Sequence, residues 1–194
     1  MIVSLNWLKD YVDINTSVEE FCDKMIMTGS NLETCKELGT GIENVKIGRI
    51  DRIENHPDAD RLKVCMINLG GDLTQIVTGA DNIFEGAYVP VAVLGSRIPG
   101  PLHGQPKTED GVEIKKGFLR GVESHGMLCA ATELGFDEKV SPMFSNDGIW
   151  ILPGSWDDSL GKDIVQVLGL KDYAVDFEIT PNRPDCLSML GMAR

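Results

Sequence analysis

The sequence is short of positive charge. Its 194 residues carry 18 Lys and Arg against 30 Asp and Glu, a formal net charge of −12. A chain that holds polyanions by bulk charge is basic, so this one is a poor candidate for strong non-specific nucleic-acid binding. Any contact with a phosphate backbone must come from a local cluster of cations. The acidic balance instead favours solubility. No apolar run reaches the length of a membrane span, and no basic segment followed by an apolar one opens the chain, so no membrane partner and no secretory leader are expected. No Cys-x-x-Cys occurs. The five cysteines, Cys22, Cys35, Cys65, Cys129 and Cys186, are odd in number, far apart and mostly inside apolar runs. That predicts reduced, buried thiols and a cytoplasmic protein.

Catalytic signatures are lacking too. There is no Gly-rich phosphate loop of the GxxxxGK type, and His56, His103 and His125 sit in separate stretches without metal-ligand spacing. Ser124 and His125 are neighbours in sequence, which says nothing about a nucleophile and a base in space. The expectation is a binding module with no catalytic residue, no metal site and no cofactor of its own.

What is present has two textures. At the start, Ile2 to Ser4 reads as a short strand, and Ser4 caps a helix through Tyr11 with Trp7 and Leu8 facing inward. Ser17 caps a second helix, in which Val18, Phe21, Cys22 and Met25 follow helical spacing, Glu19 and Glu20 lie in the first turn, and Gly29 ends it. A short strand follows near Leu32 to Cys35. At the other end, Leu160, Ile164, Val167 and Leu168 mark a helix, and Tyr173 to Ile179 alternates as a strand. After the rigid Thr180-Pro181-Asn182-Arg183-Pro184 turn, Asp185 caps a last helix. That helix runs to Arg194 without a C-cap, so the natural protein is expected to continue.

Between Gly39 and Leu152 the pattern is β. Val45 and Ile47 alternate, Gly48 allows a bulge, and the apolar phase moves to Ile50 and Ile53. Leu62 to Leu69 is a second strand, which Gly70-Gly71 turns into Leu73 to Thr78. Val89, Val91 and Val93 form a fourth, and Ser96 to Gly111 is a long loop. Glu113 to Arg120 is a fifth strand, Ala130 to Leu134 a short helix, and Gly148 to Leu152 strand-like again. Five strands with a late helix fit a Greek-key barrel of the OB type. The flanks are each too short to bury a core. The expected fold class is therefore α+β: a five-stranded OB-fold barrel, residues 39–152, inserted into a small discontinuous α+β domain, residues 1–38 plus 153–194.

Three stretches offer binding chemistry. In Asn55 to Val64, Pro57 restricts itself and His56, and Asp58 and Asp60 turn the backbone, giving a rigid polar connection at the barrel rim. In the fifth strand, alternation sets Lys116, Phe118 and Arg120 on one face. Cation, ring and cation suit a nucleic-acid backbone and a stacked base; equally, Phe118 is core and both cations are merely solvated. In Gly121 to Met127, Ser124 and backbone N–H groups hold a phosphate, or the segment is a tight turn with Met127 as core filler.

Three blocks in this order, His56-Pro57-Asp58-Ala59-Asp60-Arg61-Leu62, Ile76-Val77-Thr78-Gly79-Ala80-Asp81-Asn82 and Leu119-Arg120-Gly121-Val122-Glu123-Ser124-His125-Gly126-Met127-Leu128-Cys129, resemble the tRNA-binding OB domain. That domain is shared by several synthetases, stand-alone tRNA-binding proteins and a cytokine-like synthetase cofactor. The flanks Ile2-Val3-Ser4-Leu5-Asn6-Trp7-Leu8-Lys9-Asp10-Tyr11-Val12 and Asp176 to Ser188 are similar to the bacterial phenylalanine–tRNA ligase β subunit. The resemblance implies an α2β2 enzyme that joins phenylalanine to its tRNA with ATP and Mg²⁺. It places catalysis in the α subunit and the domain that hydrolyses mischarged tyrosine in β beyond Arg194. It maps a tRNA surface onto His56, Asp60, Arg61, Asn82, Lys116, Arg120, Ser124 and Met127, to which the strand pattern adds Phe118. Residues 39–151 hold eleven Lys/Arg and sixteen Asp/Glu, a net of −5, so tRNA binding by this chain is expected to be weak. The alternative is a free-standing tRNA-binding module or adaptor, which would lack the Ile179 to Ser188 segment.

Overall fold

A computed structural model of the chain describes residues 1–100, 111–136 and 148–194. Most of the expected long loop, with His103, lies outside the described residues. In chain order the elements are β1 (Ile2–Ser4), α1 (Leu5–Leu8), α2 (Val18–Met27), β2 (Asn31–Glu37), β3 (Glu43–Asn55), β4 (Lys63–Asn68), β5 (Leu73–Thr78) and β6 (Tyr88–Ile98). There follow β7 (Val112–Glu113), β8 (Gly117–Leu119), β9 (Val122–Ser124), β10 (Gly126–Leu128), α3 (Ile164–Val167), β11 (Tyr173–Glu178) and α4 (Met189–Ala193). The chain divides into two compact units, Met1–Gly39 with Gly169–Arg194, and Thr40–Leu168.

The first unit is a three-stranded antiparallel sheet, β1–β11–β2, with helices on it. Alternation along β11 buries Val175 and Phe177, and Phe21 from α2 meets Phe177 edge-on at 6.3 Å. Helix α1 is one turn, and the buried pair is Leu5 with Leu8, not Trp7 with Leu8: Trp7 is 54% exposed. Residues three apart share a helix face, and that face is taken by the two leucines. The last helix is capped by Ser188, whose Oγ accepts from Gly191 N–H at 3.1 Å, rather than by Asp185, which pairs with Arg183 at 3.1 Å. Asp172, buried, accepts from Asn6 N–H at 2.9 Å and Tyr173 N–H at 2.7 Å, tying the first helix to the returning strand.

In the second unit β10–β6–β3–β4–β5 form an antiparallel path, with β7 beside β6. Its core gathers Ile50, Cys65, Ile67, Ile76, Val89, Val91, Leu128 and Ile149. Among the described residues the ladders stay open and do not close into the expected five-stranded barrel; between the two ends, His125 N–H donates to Gln75 O at 2.9 Å. Gly48 is not a bulge. The register shifts fall between Ile50 and Arg52 against β4 and between Glu43 and Val45 against β6, and a Cβ on Gly48 would stand 2.6 Å from Ile67 Cγ2 and 2.7 Å from Val91 Cγ2. The glycine is there to let β3 lie close under its neighbours.

Residues 153–168 lie in this unit rather than with the flanks. The β3–β4 ladder begins at Arg49, so the backbone of Ile47 extends past it. Lys162 O takes Ile47 N–H at 3.0 Å, and Gly161 N–H reaches Ile47 O at 2.8 Å. Asp163 then caps α3, which buries Ile164 and Val165. The expected helix at Ala130 to Leu134 is a turn, closed by Gly135 at φ 82°.

Candidate nucleic-acid interface

The expected fifth strand divides. Val112 and Glu113 pair with β6, Ile114 is buried, and Gly117 to Ser124 fold into a hairpin, β8–β9, that is a two-stranded sheet of its own. The cause is Arg120-Gly121. Arg120 has φ 48° and Gly121 φ 86°, and two central residues with positive φ form the tight turn whose twist matches a hairpin. Leu119 therefore pairs with Val122 and Phe118 with Glu123.

On this hairpin Phe118 is 68% exposed, so its ring is not core. Arg120 is exposed at the tip and makes no ion pair among the described residues. Lys116 is ion-paired with Glu123, which His125 Nε2 also approaches at 3.1 Å. The hydrogen bond from Lys116 holds the Glu123 carboxyl below the usual carboxylate range. The root of the hairpin is fixed from β5: Gln75 Nε2 donates to Glu123 O at 2.7 Å, and Val77 N–H donates to Ser124 Oγ at 3.0 Å. Ser124 Oγ itself donates to Gly126 O at 2.9 Å. A Cβ on Gly126, at φ 144°, would stand 2.5 Å from Ala92 O, which is why glycine begins β10.

Three of the nine expected contact residues, Ser124, Asn82 and His56, are held by side-chain hydrogen bonds within the fold. Ser124 is buried and its hydroxyl is committed at both ends. Asn82 clamps the chain at Ile149, donating to its carbonyl at 2.8 Å and accepting from its N–H at 3.0 Å. Met127 is half-buried on β10 opposite Ala92. His56 is 5% exposed, with Nε2 2.9 Å from Leu119 O and Nδ1 accepting from Asp58 N–H at 3.1 Å. Asp60 and Arg61 are exposed at the rim and do not pair with each other. The 56–62 segment closes on itself through His56 N–H to Leu62 O at 3.1 Å, so His56 brings the rim of Arg61 to the hairpin tip. Phe118, Arg120, Arg61 and Asp60 are then the outward-facing groups, with Lys116 compensated beside them. Glu123 and Gln75 were not foreseen; the Arg-Gly pair between Leu119 and Val122 was the signal that would have shown the turn.

The hairpin and rim stand on a scaffold of known kind. The chain belongs to the family described as "Putative tRNA binding domain", whose model matches residues 45–148. Over its whole length it is similar to phenylalanine–tRNA ligase beta subunits. Identity is 47% to that of Clostridium tetani and 45% to that of Clostridium acetobutylicum, over 100% of this chain in both cases. It spans 22% and 23% of the length of those two relatives. Among solved structures, the C-terminal domain of Plasmodium vivax p43 is 25% identical over 48% of each chain, with a TM-score of 0.33, too low to carry a fold comparison.

Proposed function

We propose that this chain is a non-catalytic, tRNA-binding part of a phenylalanine–tRNA ligase β subunit, and that it meets tRNA through the β8–β9 hairpin and the rim at Arg61. The observation that carries this is Phe118, a ring 68% exposed on a strand next to Arg120, which is exposed and makes no ion pair among the described residues, in a chain whose family is described by tRNA binding. An exposed ring with flanking cations is a stacking platform for an unpaired base. In the whole enzyme the chain would act beside an α subunit in an α2β2 assembly in the cytoplasm, with ATP and Mg²⁺ used elsewhere in the assembly. The open path β10–β6–β3–β4–β5 is read as the five strands of an OB-type fold, a reading supported by the His125 to Gln75 bond between the two ends of the path. That fold is read as an insert within the discontinuous domain of the flanks.

The test is a titration of tRNA at several salt concentrations against the wild-type chain and Arg61→Ala with Arg120→Ala. Two phosphate contacts give a slope of about −1.4 to −1.8 in log K against log salt. The double variant is expected to bind more weakly, with a slope near zero and an unchanged melt. Unchanged affinity and slope would show that these cations do not touch tRNA.

A further inference from the structure

The β8–β9 hairpin is a two-stranded sheet outside the main one, and such hairpins are marginal by themselves. Its root is anchored by Gln75 and Ser124, as described above. Among the described residues, its tip receives one hydrogen bond from outside the hairpin, that between His56 Nε2 and Leu119 O at 2.9 Å. Leu119 immediately precedes Arg120 and follows Phe118.

We propose that His56 is a positioning residue: its neutral ring, with the proton on Nε2, fastens the rim segment 56–62 to the hairpin tip and so fixes where Phe118 and Arg120 stand. The partners determine the tautomer. Asp58 N–H donates to Nδ1 at 3.1 Å, so Nδ1 carries no proton. A carbonyl oxygen only accepts, so the proton must be on Nε2 to meet Leu119 O. The ring is 5% exposed and does not reach a ligand itself. The segment that holds it is stiff: Pro57 fixes the backbone beside it, and the loop is closed by His56 N–H to Leu62 O at 3.1 Å and Leu62 N–H to Ala59 O at 3.2 Å. A clamp of this kind lowers the cost of ordering the hairpin when a base stacks on it. The effect on tRNA rests on the function proposed above; the effect on the hairpin does not.

Two substitutions separate the two ring nitrogens. His56→Asn keeps an acceptor for Asp58 N–H but is too short for Leu119 O. His56→Gln keeps a donor at the reach of Nε2. Hydrogen–deuterium exchange of the 194-residue chain is read at residues 117–123 relative to β3 and β6, together with affinity for a tRNA transcript at fixed salt. The expected result for His56→Asn is exchange faster by about two- to tenfold at the hairpin alone, and affinity lower by a similar factor, the range of one hydrogen bond. His56→Gln is expected to stay near wild type in both. Unchanged hairpin exchange in His56→Asn, or equal impairment in the two variants, overturns the proposal. On the wild-type chain, nitrogen chemical shifts of His56 must show a bare Nδ1 and a protonated Nε2; the opposite tautomer or a charged ring overturns it without any variant. If exchange follows the expected order while affinity is unmoved in His56→Asn and in Phe118→Ala alike, the clamp stands and the hairpin is not the tRNA contact.

Discussion

Glu123 holds Lys116 and His125 together and lies across the hairpin from Phe118. Its carboxyl is held below the ordinary range, first by the hydrogen bond from Lys116. A depressed carboxyl contributes stability that is present above its unfolded pKa and is lost as pH falls through its folded pKa. The same pairing keeps Lys116 from a phosphate. Glu123→Gln therefore should free Lys116, raise affinity for tRNA and steepen the salt slope by about 0.7–0.9, one further phosphate contact. A titration series in salt decides it, and an unchanged slope would mean that Lys116 faces no phosphate. Ser124 gives the opposite kind of prediction. Ser124→Ala leaves Val77 N–H buried without its partner, which costs about 1–3 kcal/mol. A thermal melt should show that loss, with the salt slope of tRNA binding unchanged where both proteins are folded. Lower affinity at full stability would restore the hydroxyl as a phosphate ligand.

Among the elements, β3 shows what a sequence pattern conveys and what it leaves out. Alternation at Val45 and Ile47, and the shift of phase to Ile50, mark positions that are buried, while Ile53 is only partly so. Gly48 carries no side chain to reveal its role, and a strand glycine signals a bulge or a close approach equally well. The answer depends on Ile67 and Val91, from two other strands. Gly48→Ala should overpack that contact and cost about 1–3 kcal/mol, read as a lower denaturant midpoint at constant m; no shift would mean that the strands can separate freely. The hairpin is masked in the sequence for a local reason: Lys116, Phe118 and Arg120 alternate as a straight strand would, and only the Arg120-Gly121 pair marks the turn that ends it. The structure brings candidate residues of the three sequence blocks together at the rim and the hairpin, but which of them are held within the fold was not legible. His56, Asn82 and Ser124 look like ligands in one dimension and become braces only when Leu119, Ile149 and Val77 are brought to them. Trp7 and Asp185 failed more simply: Leu5 takes the buried position beside Leu8, and the Ser188 hydroxyl takes the cap.

At the scale of the whole molecule, a net charge of −12 repels the polyanion that the hairpin is proposed to hold. Affinity then depends on few contacts: Arg120, Arg61 and the ring of Phe118. The ring is where binding and packing predict different numbers. Phe118→Ala removes an exposed side chain, so its melt should stay within about 0.5 kcal/mol of wild type. Its affinity for tRNA should fall by about 1–3 kcal/mol, the worth of one stacked base. Measuring both on the same preparation tests the central claim most directly. Weaker binding at unchanged stability is the predicted result; unchanged binding, or a stability loss of about 3–5 kcal/mol such as a buried ring would give, would contradict it.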